Sequence, residues 1–298
     1  MRIIQKVGLA VSGQTGNLAP ADKKIYSLRD ATATVESIPL IASSILSKKI
    51  AAGADRILLD VKVGNGAFMK TEDQAVQLAK TMVSIGEQVG KKTVALLTNM
   101  DQPLGYAVGN SLEVAEACRT LQGKGPEDLT QLSLHLAADM LFLAEKGSLS
   151  DCRKMAEQAL LDGSAFRTWK DMVREQGGDC SVLEDAGAFE QSKVTDRLIA
   201  EKSGFVRAFE TETCGTAAVM LGAGRQGEQD EIDYSAGILF RKKIGGRINV
   251  GEELAVLFAN SQEQCRQAKA LLRSAITIGR EECTPPKLIL SRISAENL

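Results

Sequence analysis

The stretch from Arg56 to Leu97 constrains the fold most. It runs RILLDVKV, then Gly64-Asn65-Gly66, then a helical pattern behind Thr71-Glu72-Asp73 that extends to about Val89, then KTVALL from Lys92. Two short aliphatic runs read as buried strands, and the glycines between them read as a tight turn. Strand, helix and strand in alternation predict an α/β domain with a largely parallel sheet. A glycine loop after such a strand faces a ligand in many α/β proteins, and it serves as a plain chain reversal about as often.

Size and charge narrow the classes further. A chain of 298 residues holds one large core or two domains. The formal charge of −2 balances 36 basic against 38 acidic residues without a long run of either sign. This argues against a nucleic-acid groove and against a patch for anionic membrane. The six cysteines are scattered with no C-x-x-C pair, which fits reduced thiols in a cytoplasmic protein better than a zinc site or a disulfide scaffold. No apolar run approaches the roughly 20 residues of a membrane span. The opening MRIIQKVGLAVSG is too short and too strand-like for a signal peptide.

Upstream of the strand pair, Tyr26 to Lys49 reads YSLRDATATVESIPLIASSILSKK. Val35, Ile38, Leu40, Ile41, Ile45 and Leu46 supply a helical apolar surface. Ser44 and Lys48 are four apart, so a helix puts them on one face, one turn from each other. An arginine (Arg29), a hydroxyl and an ammonium directed at one volume suit a planar, acceptor-rich ligand such as a pyrimidine base. For such a segment taken alone, solvated surface charge is the commoner outcome.

Elsewhere, Lys6 to Ser12 (KVGLAVS) is expected as a strand and GQTGNLAPAD as a loop. Asp22 reads as a helix cap behind Pro20, and Gly53 as the end of the second helix. The Pro103-Leu104-Gly105 turn leads into a helix from about Ser111, with Asn110 or Ser111 as cap. Thr130 to Arg174 is amphipathic helix, with Met140 and Met155 among its core positions. His135, the one histidine in the chain, reads as structural or solvated. A change of texture after Gln176 places a domain boundary near 190–200. From Gly204 the chain reads β-rich through FVRAFET, AAVMLGAG, AGILFRKKIG and INVGEELAVLFA, followed by a closing helix over Ala268–Ile278 and an irregular tail. Gly222 to Gly227 forms a Gly-x-Gly-x-x-Gly, but acidic EQDEIDY follows it in place of an apolar helix, so the dinucleotide reading lacks its context.

The segment PADKKIYSLRDATATVESIPLIASSILSKKIAAGADRILLDVKVGNGAFMK is similar to the central signature of the pyrimidine-nucleoside and thymidine phosphorylases. The likeness continues in order through NMDQPLG, GTAAVMLGAGR and IDYSAGILFRKKIGGRINVGEELAVLF. It implies a helical base-binding segment over about 20–52 within an incomplete, largely parallel α/β domain (1–195). A small α+β C-terminal domain (196–298) would follow. The implied activity is that of a pentosyltransferase: inorganic phosphate attacks the anomeric carbon of uridine, deoxyuridine or thymidine and the free base departs. By resemblance, Arg29 and Lys48 stabilise charge on the leaving base, Ser44 completes base recognition and Asp30 orients Arg29. Leu104 and Ala107 through their carbonyls, and Glu116 through its carboxylate, match the family's potassium site, whose remaining ligands the resemblance places upstream of residue 1, so that an incomplete cation site is expected here. The family further implies a cytoplasmic homodimer, with no nucleic-acid or membrane partner.

The same resemblance places the family's phosphate-binding loop and its substrate-side histidine upstream of residue 1. The expectation is a phosphorylase without its N-terminal third, retaining base binding better than turnover. Two alternatives stand beside it: a non-catalytic fragment, and a phosphoribosyltransferase-like enzyme, against which the C-terminal module argues. That module also looks, more loosely, like biotinyl and lipoyl carriers. Lys242 and Lys243 lack the methionine or acidic neighbours of a carrier lysine, so a swinging-arm role is rejected.

Overall fold

The computed structural model describes residues 2–11, 13, 18–28, 32, 34, 36–185, 189, 191–225, 227 and 229–298. The chain forms two compact units that interleave along the sequence. One comprises Ala10–Asn99, Leu132–Glu157 and Leu288–Leu298; the other comprises Met1–Leu9, Met100–Gln131 and Gln158–Lys287. The class is α/β, as expected.

The chain opens with α1 (Arg2–Val7), α2 (Pro20–Leu28) and α3 (Ile38–Ala51). Next come β1 (Arg56–Val63), α4 (Glu72–Gln88) and β2 (Lys92–Asn99). β1 and β2 pair in parallel, Arg56 opposite Lys92 through Val63 opposite Asn99. β1 buries alternate residues, Ile57, Leu59, Val61 and Val63, and turns Arg56, Leu58, Asp60 and Lys62 to its other face. β2 is buried from Thr93 to Thr98, as befits the central strand. Thr71 caps α4 in a reciprocal box with Gln74, satisfying donors that a helix start leaves over. Where α4 meets β2, a Cβ on Gly86 would stand 2.0 Å from Thr93 Oγ1, so only glycine permits that approach.

The order continues with β3 (Ala107–Val108), α5 (Asn110–Leu121), α6 (Glu127–Leu143), α7 (Leu149–Leu161) and α8 (Ser164–Glu175). It ends with β4 (Val194–Ile199), β5 (Gly204–Phe209), α9 (Thr211–Leu221), β6 (Gly237–Phe240), β7 (Arg247–Ile248), β8 (Glu253–Ala259), α10 (Gln262–Ala275), β9 (Ile276–Gly279) and β10 (Ile289–Ile293). Two antiparallel sheets, β3-β6-β8-β4 and β7-β5-β9, frame the core of the second unit. Phe209, Leu221, Ile238, Leu257 and Leu272 are buried there, and Phe209 meets Phe240 edge-to-face at 5.4 Å.

Several sequence expectations need correction. Lys6 to Ser12 is not a strand. In its described part Lys6 and Val7 end α1, which stops before Gly8 (φ +92), residues 8–11 are in neither helix nor strand, and Lys6 pairs with Glu175 at 2.5 Å. A four-residue apolar run does not distinguish strand from helix. AAVMLGAG is the end of α9: Cys214, Ala217, Ala218 and Leu221 are buried at helical spacing, and Gly222 (φ +108) ends it. The closing helix stops at Ala275, and Ile276–Gly279 pairs with β5 as a strand. The tail is ordered as β10, antiparallel to β2, with Ile293 opposite Ala95. Met140 and Met155 are exposed. α5 starts at Asn110 behind Gly109, and Glu113, not an Asn or Ser side chain, accepts the Gly109 N–H at 3.1 Å.

One ion pair on the C-terminal sheet makes a pH prediction. Lys269 Nζ lies 2.9 and 3.0 Å from the Asp196 carboxylate oxygens. Burial pushes the Asp196 pKa up, but the Lys269 hydrogen bond, the Arg197 N–H and the Lys269 charge outweigh it, leaving it below the ordinary 3.8. A depressed carboxyl contributes stability above its unfolded pKa and loses it as pH falls through the folded one. Asp196→Asn is expected to cost about 0.5–1 kcal/mol at pH 7 and nothing below both pKa values. Urea midpoints followed from pH 7 downwards check this; a loss that does not shrink as the pH falls would contradict it.

Candidate functional site

α3 carries the predicted base-binding pair. Ser44 is buried and Lys48 follows one turn later on the same face. Both line a cavity of about 1020 Å³ within the first unit, bounded by α2, α3, β1 and Phe68-Met69. The structure thus brings together two of the residues expected to touch the base. Arg29 and Asp30 lie outside the described residues.

The cavity also shows groups that the sequence reading did not assign. Asp22, expected as a helix cap, sits in the first turn of α2, and its Oδ2 is 3.1 Å from Lys48 Nζ. The Asp22 side chain is only 10% exposed against 26% for Lys48, and its Oδ2 accepts no hydrogen bond among the described residues, so the pair at the cavity wall is one of opposite charges at close range. Across from α3, Asp60 accepts a 2.5 Å hydrogen bond from Thr98 Oγ1 and a 2.7 Å bond from Lys62 Nζ. The alternation in RILLDVKV already put Asp60 and Lys62 on one strand face; only the fold shows that this face meets the cavity. Phe68 lines the rim and is 71% exposed. The Gly64-Asn65-Gly66 turn is closed by Gly64 N–H to Met69 O at 3.0 Å.

Four lysines (Lys23, Lys48, Lys49, Lys62) and two aspartates (Asp22, Asp60) line this space. A cavity whose lining carries excess positive charge favours a ligand that carries or develops negative charge.

The second predicted cluster lies in the other unit. Glu116 is 4% exposed and accepts the Tyr106 N–H at 3.0 Å and the Ala107 N–H at 3.3 Å. Burial raises its pKa; the two N–H groups and Arg119 act in the opposite sense. Gly105 (φ +66) leaves room for it: a Cβ there would stand 2.1 Å from Oε2. Phe240 N–H bonds Tyr106 O, and Ala107 is the next residue in the register, opposite Leu239. Antiparallel bonding alternates, so the Ala107 N–H and carbonyl point to the free edge, where the Glu116 carboxylate lies. Leu104 precedes Gly105 in the same turn. An oxygen-only set of this kind fits a hard monovalent cation.

Residues 1–166 match the family model described as the a/b domain of a glycosyl transferase family, and residues 205–279 match the pyrimidine nucleoside phosphorylase C-terminal domain. The pyrimidine-nucleoside phosphorylase of Geobacillus stearothermophilus is 50% identical over 293 residues, covering 98% of this chain and 67% of that protein. That of Bacillus subtilis (strain 168) is 48% identical over 295 residues, covering 99% of this chain and 68% of its own length. This chain therefore spans about two thirds of the length of these relatives. With both domain models matched and half of its residues shared with such relatives, the chain belongs to the pyrimidine-nucleoside phosphorylase family.

Proposed function

We propose that the chain acts in the phosphorolysis of pyrimidine nucleosides, a pentosyl transfer, and that the cavity over α3 receives the base. The observation that carries this reading is the placement of Ser44 and Lys48 on one helix face of that cavity, with Asp22 holding the ammonium. In the reaction, inorganic phosphate attacks the anomeric carbon and the bond to the base nitrogen breaks. Electron density then builds on the base, and its carbonyl oxygens become stronger acceptors. A fixed ammonium at that position stabilises the transition state more than the neutral substrate, which is the condition for raising turnover. Ser44 offers a hydroxyl that can donate to a ring acceptor or accept from a ring N–H. Arg29 is assigned a second cationic contact to the base and Asp30 its orientation, both on the family match.

Uridine, deoxyuridine and thymidine are the proposed substrates. Leu104, Ala107 and Glu116 would hold a potassium ion, whose charge would offset the buried carboxylate and steady the turn. A cytoplasmic homodimer without nucleic-acid or membrane partners completes the proposal. The near-balanced charge and six free cysteines support it, and among the described residues no helix is long and apolar enough to cross a membrane.

The test is release of free base from uridine and thymidine with and without phosphate. The expected result is release that requires phosphate, matched one-for-one by pentose 1-phosphate. Ser44→Ala should raise KM about tenfold, since a hydrogen bond lost at a buried contact is worth roughly 1–1.5 kcal/mol. Release at the same rate without phosphate would mean hydrolysis and would overturn the reading.

A further inference from the structure

Lys243 takes no part in the reaction as proposed, yet its surroundings are built around its charge. It follows β6 in the AGILFRKKIG segment, and its side chain is 15% exposed. The ammonium lies 2.7 Å from the Gly105 carbonyl and 2.9 Å from Asp128 Oδ2, and it also donates to the Pro103 carbonyl. Three donors thus meet three acceptors, which is the full capacity of a lysine. The Tyr106 ring adds a cation–π face with its centroid at 5.8 Å. Asp128 Oδ2 accepts the Gly105 N–H at 3.2 Å as well, and Gln102 Oε1 accepts the Ile244 N–H at 2.9 Å.

The 103–107 turn is therefore gripped from two sides. Lys243 takes the carbonyls of Pro103 and Gly105, while Glu116 takes the N–H groups of Tyr106 and Ala107. The carbonyl assigned to the cation, Leu104, alternates with the two that the lysine takes. A swinging arm needs an exposed, free ammonium; this one is committed.

We propose that Lys243 is a positioning residue: a tethered cation that fixes the 103–107 turn so that Leu104, Ala107 and Glu116 present their oxygens to a monovalent cation. The proposal rests on the cation site described above. Partners that orient metal ligands without touching the metal set affinity by about 10- to 100-fold.

The experiment is thermal unfolding of the full chain against KCl, with choline chloride holding ionic strength constant. The parent should gain stability with a saturable KCl midpoint, and Lys243→Met should move that midpoint at least about tenfold higher. In Lys243→Ala, millimolar methylammonium should bring the midpoint back towards the parent, because it restores the missing charge in the space left. A loss of packing alone would respond to neither. A Lys243→Met midpoint equal to or below that of the parent overturns the proposal. If the Lys243 variants fail to melt cooperatively, Asp128→Asn should shift the midpoint in the same direction, and an unchanged midpoint there overturns it too. A parent indifferent to KCl removes the cation site and this proposal with it, but leaves phosphate-dependent base release untouched.

Discussion

Replacing Lys48 with alanine is expected to lower kcat for pyrimidine-nucleoside phosphorolysis by about 10²–10³, the usual cost of deleting one fixed donor to developing charge. The reason lies in timing. The neutral base offers Lys48 a weak acceptor, and the departing base offers a strong one. The loss should therefore fall on kcat more than on KM. Asp22 sharpens the prediction, because its buried carboxylate holds the ammonium at 3.1 Å. Asp22→Asn keeps the charge of Lys48 but loosens its position, so its defect should be smaller than that of Lys48→Ala. Steady-state kinetics on the three proteins decide the matter. Equal kcat in parent and Lys48→Ala would remove Lys48 from the chemistry.

The second large effect is on stability. Arg292 Nε donates to Asp139 Oδ1 at 2.7 Å, and the Asp139 side chain is only 6% exposed. Arg292 also lies over the Phe142 ring at 5.4 Å. Arg292→Met keeps much of the packing and strands a buried carboxylate, an error that costs about 3–5 kcal/mol. Removing both partners, as Asp139→Leu with Arg292→Met, should recover most of that, since an apolar pair of similar volume needs no charge partner. Urea unfolding of the single and double variants measures the coupling. A single variant within about 0.5 kcal/mol of the parent would show that the pair contributes little.

These two residues also mark how far the sequence could be read. Lys48 and Ser44 were legible, because a four-residue spacing fixes a shared helix face whatever the tertiary structure. β1, α4 and β2 were legible as well: their periodicities, the Thr71 cap and the glycine turn all agree. Arg292 was not, because β10 is made a strand by pairing with β2 from far along the chain, and local pattern carries little of that information. α9 was misread for a different reason: its apolar run was judged by composition, although the period of its buried residues is helical. In the site, Asp22 was read through its nearest helix end and not through Lys48, which lies on the next helix. Lys243 was weighed only as an exposed carrier lysine. Its partners at Pro103, Gly105 and Asp128 are more than a hundred residues away in sequence, and no local motif encodes them.

The most direct measurement is calorimetric titration of uracil into the intact chain and into Ser44→Ala. A base site over α3 predicts saturable one-to-one binding to the parent, weakened about tenfold in the variant, as expected for a hydrogen bond lost at a buried contact. No binding to the parent, or equal binding to both proteins, would place the base elsewhere and contradict the assignment of this cavity.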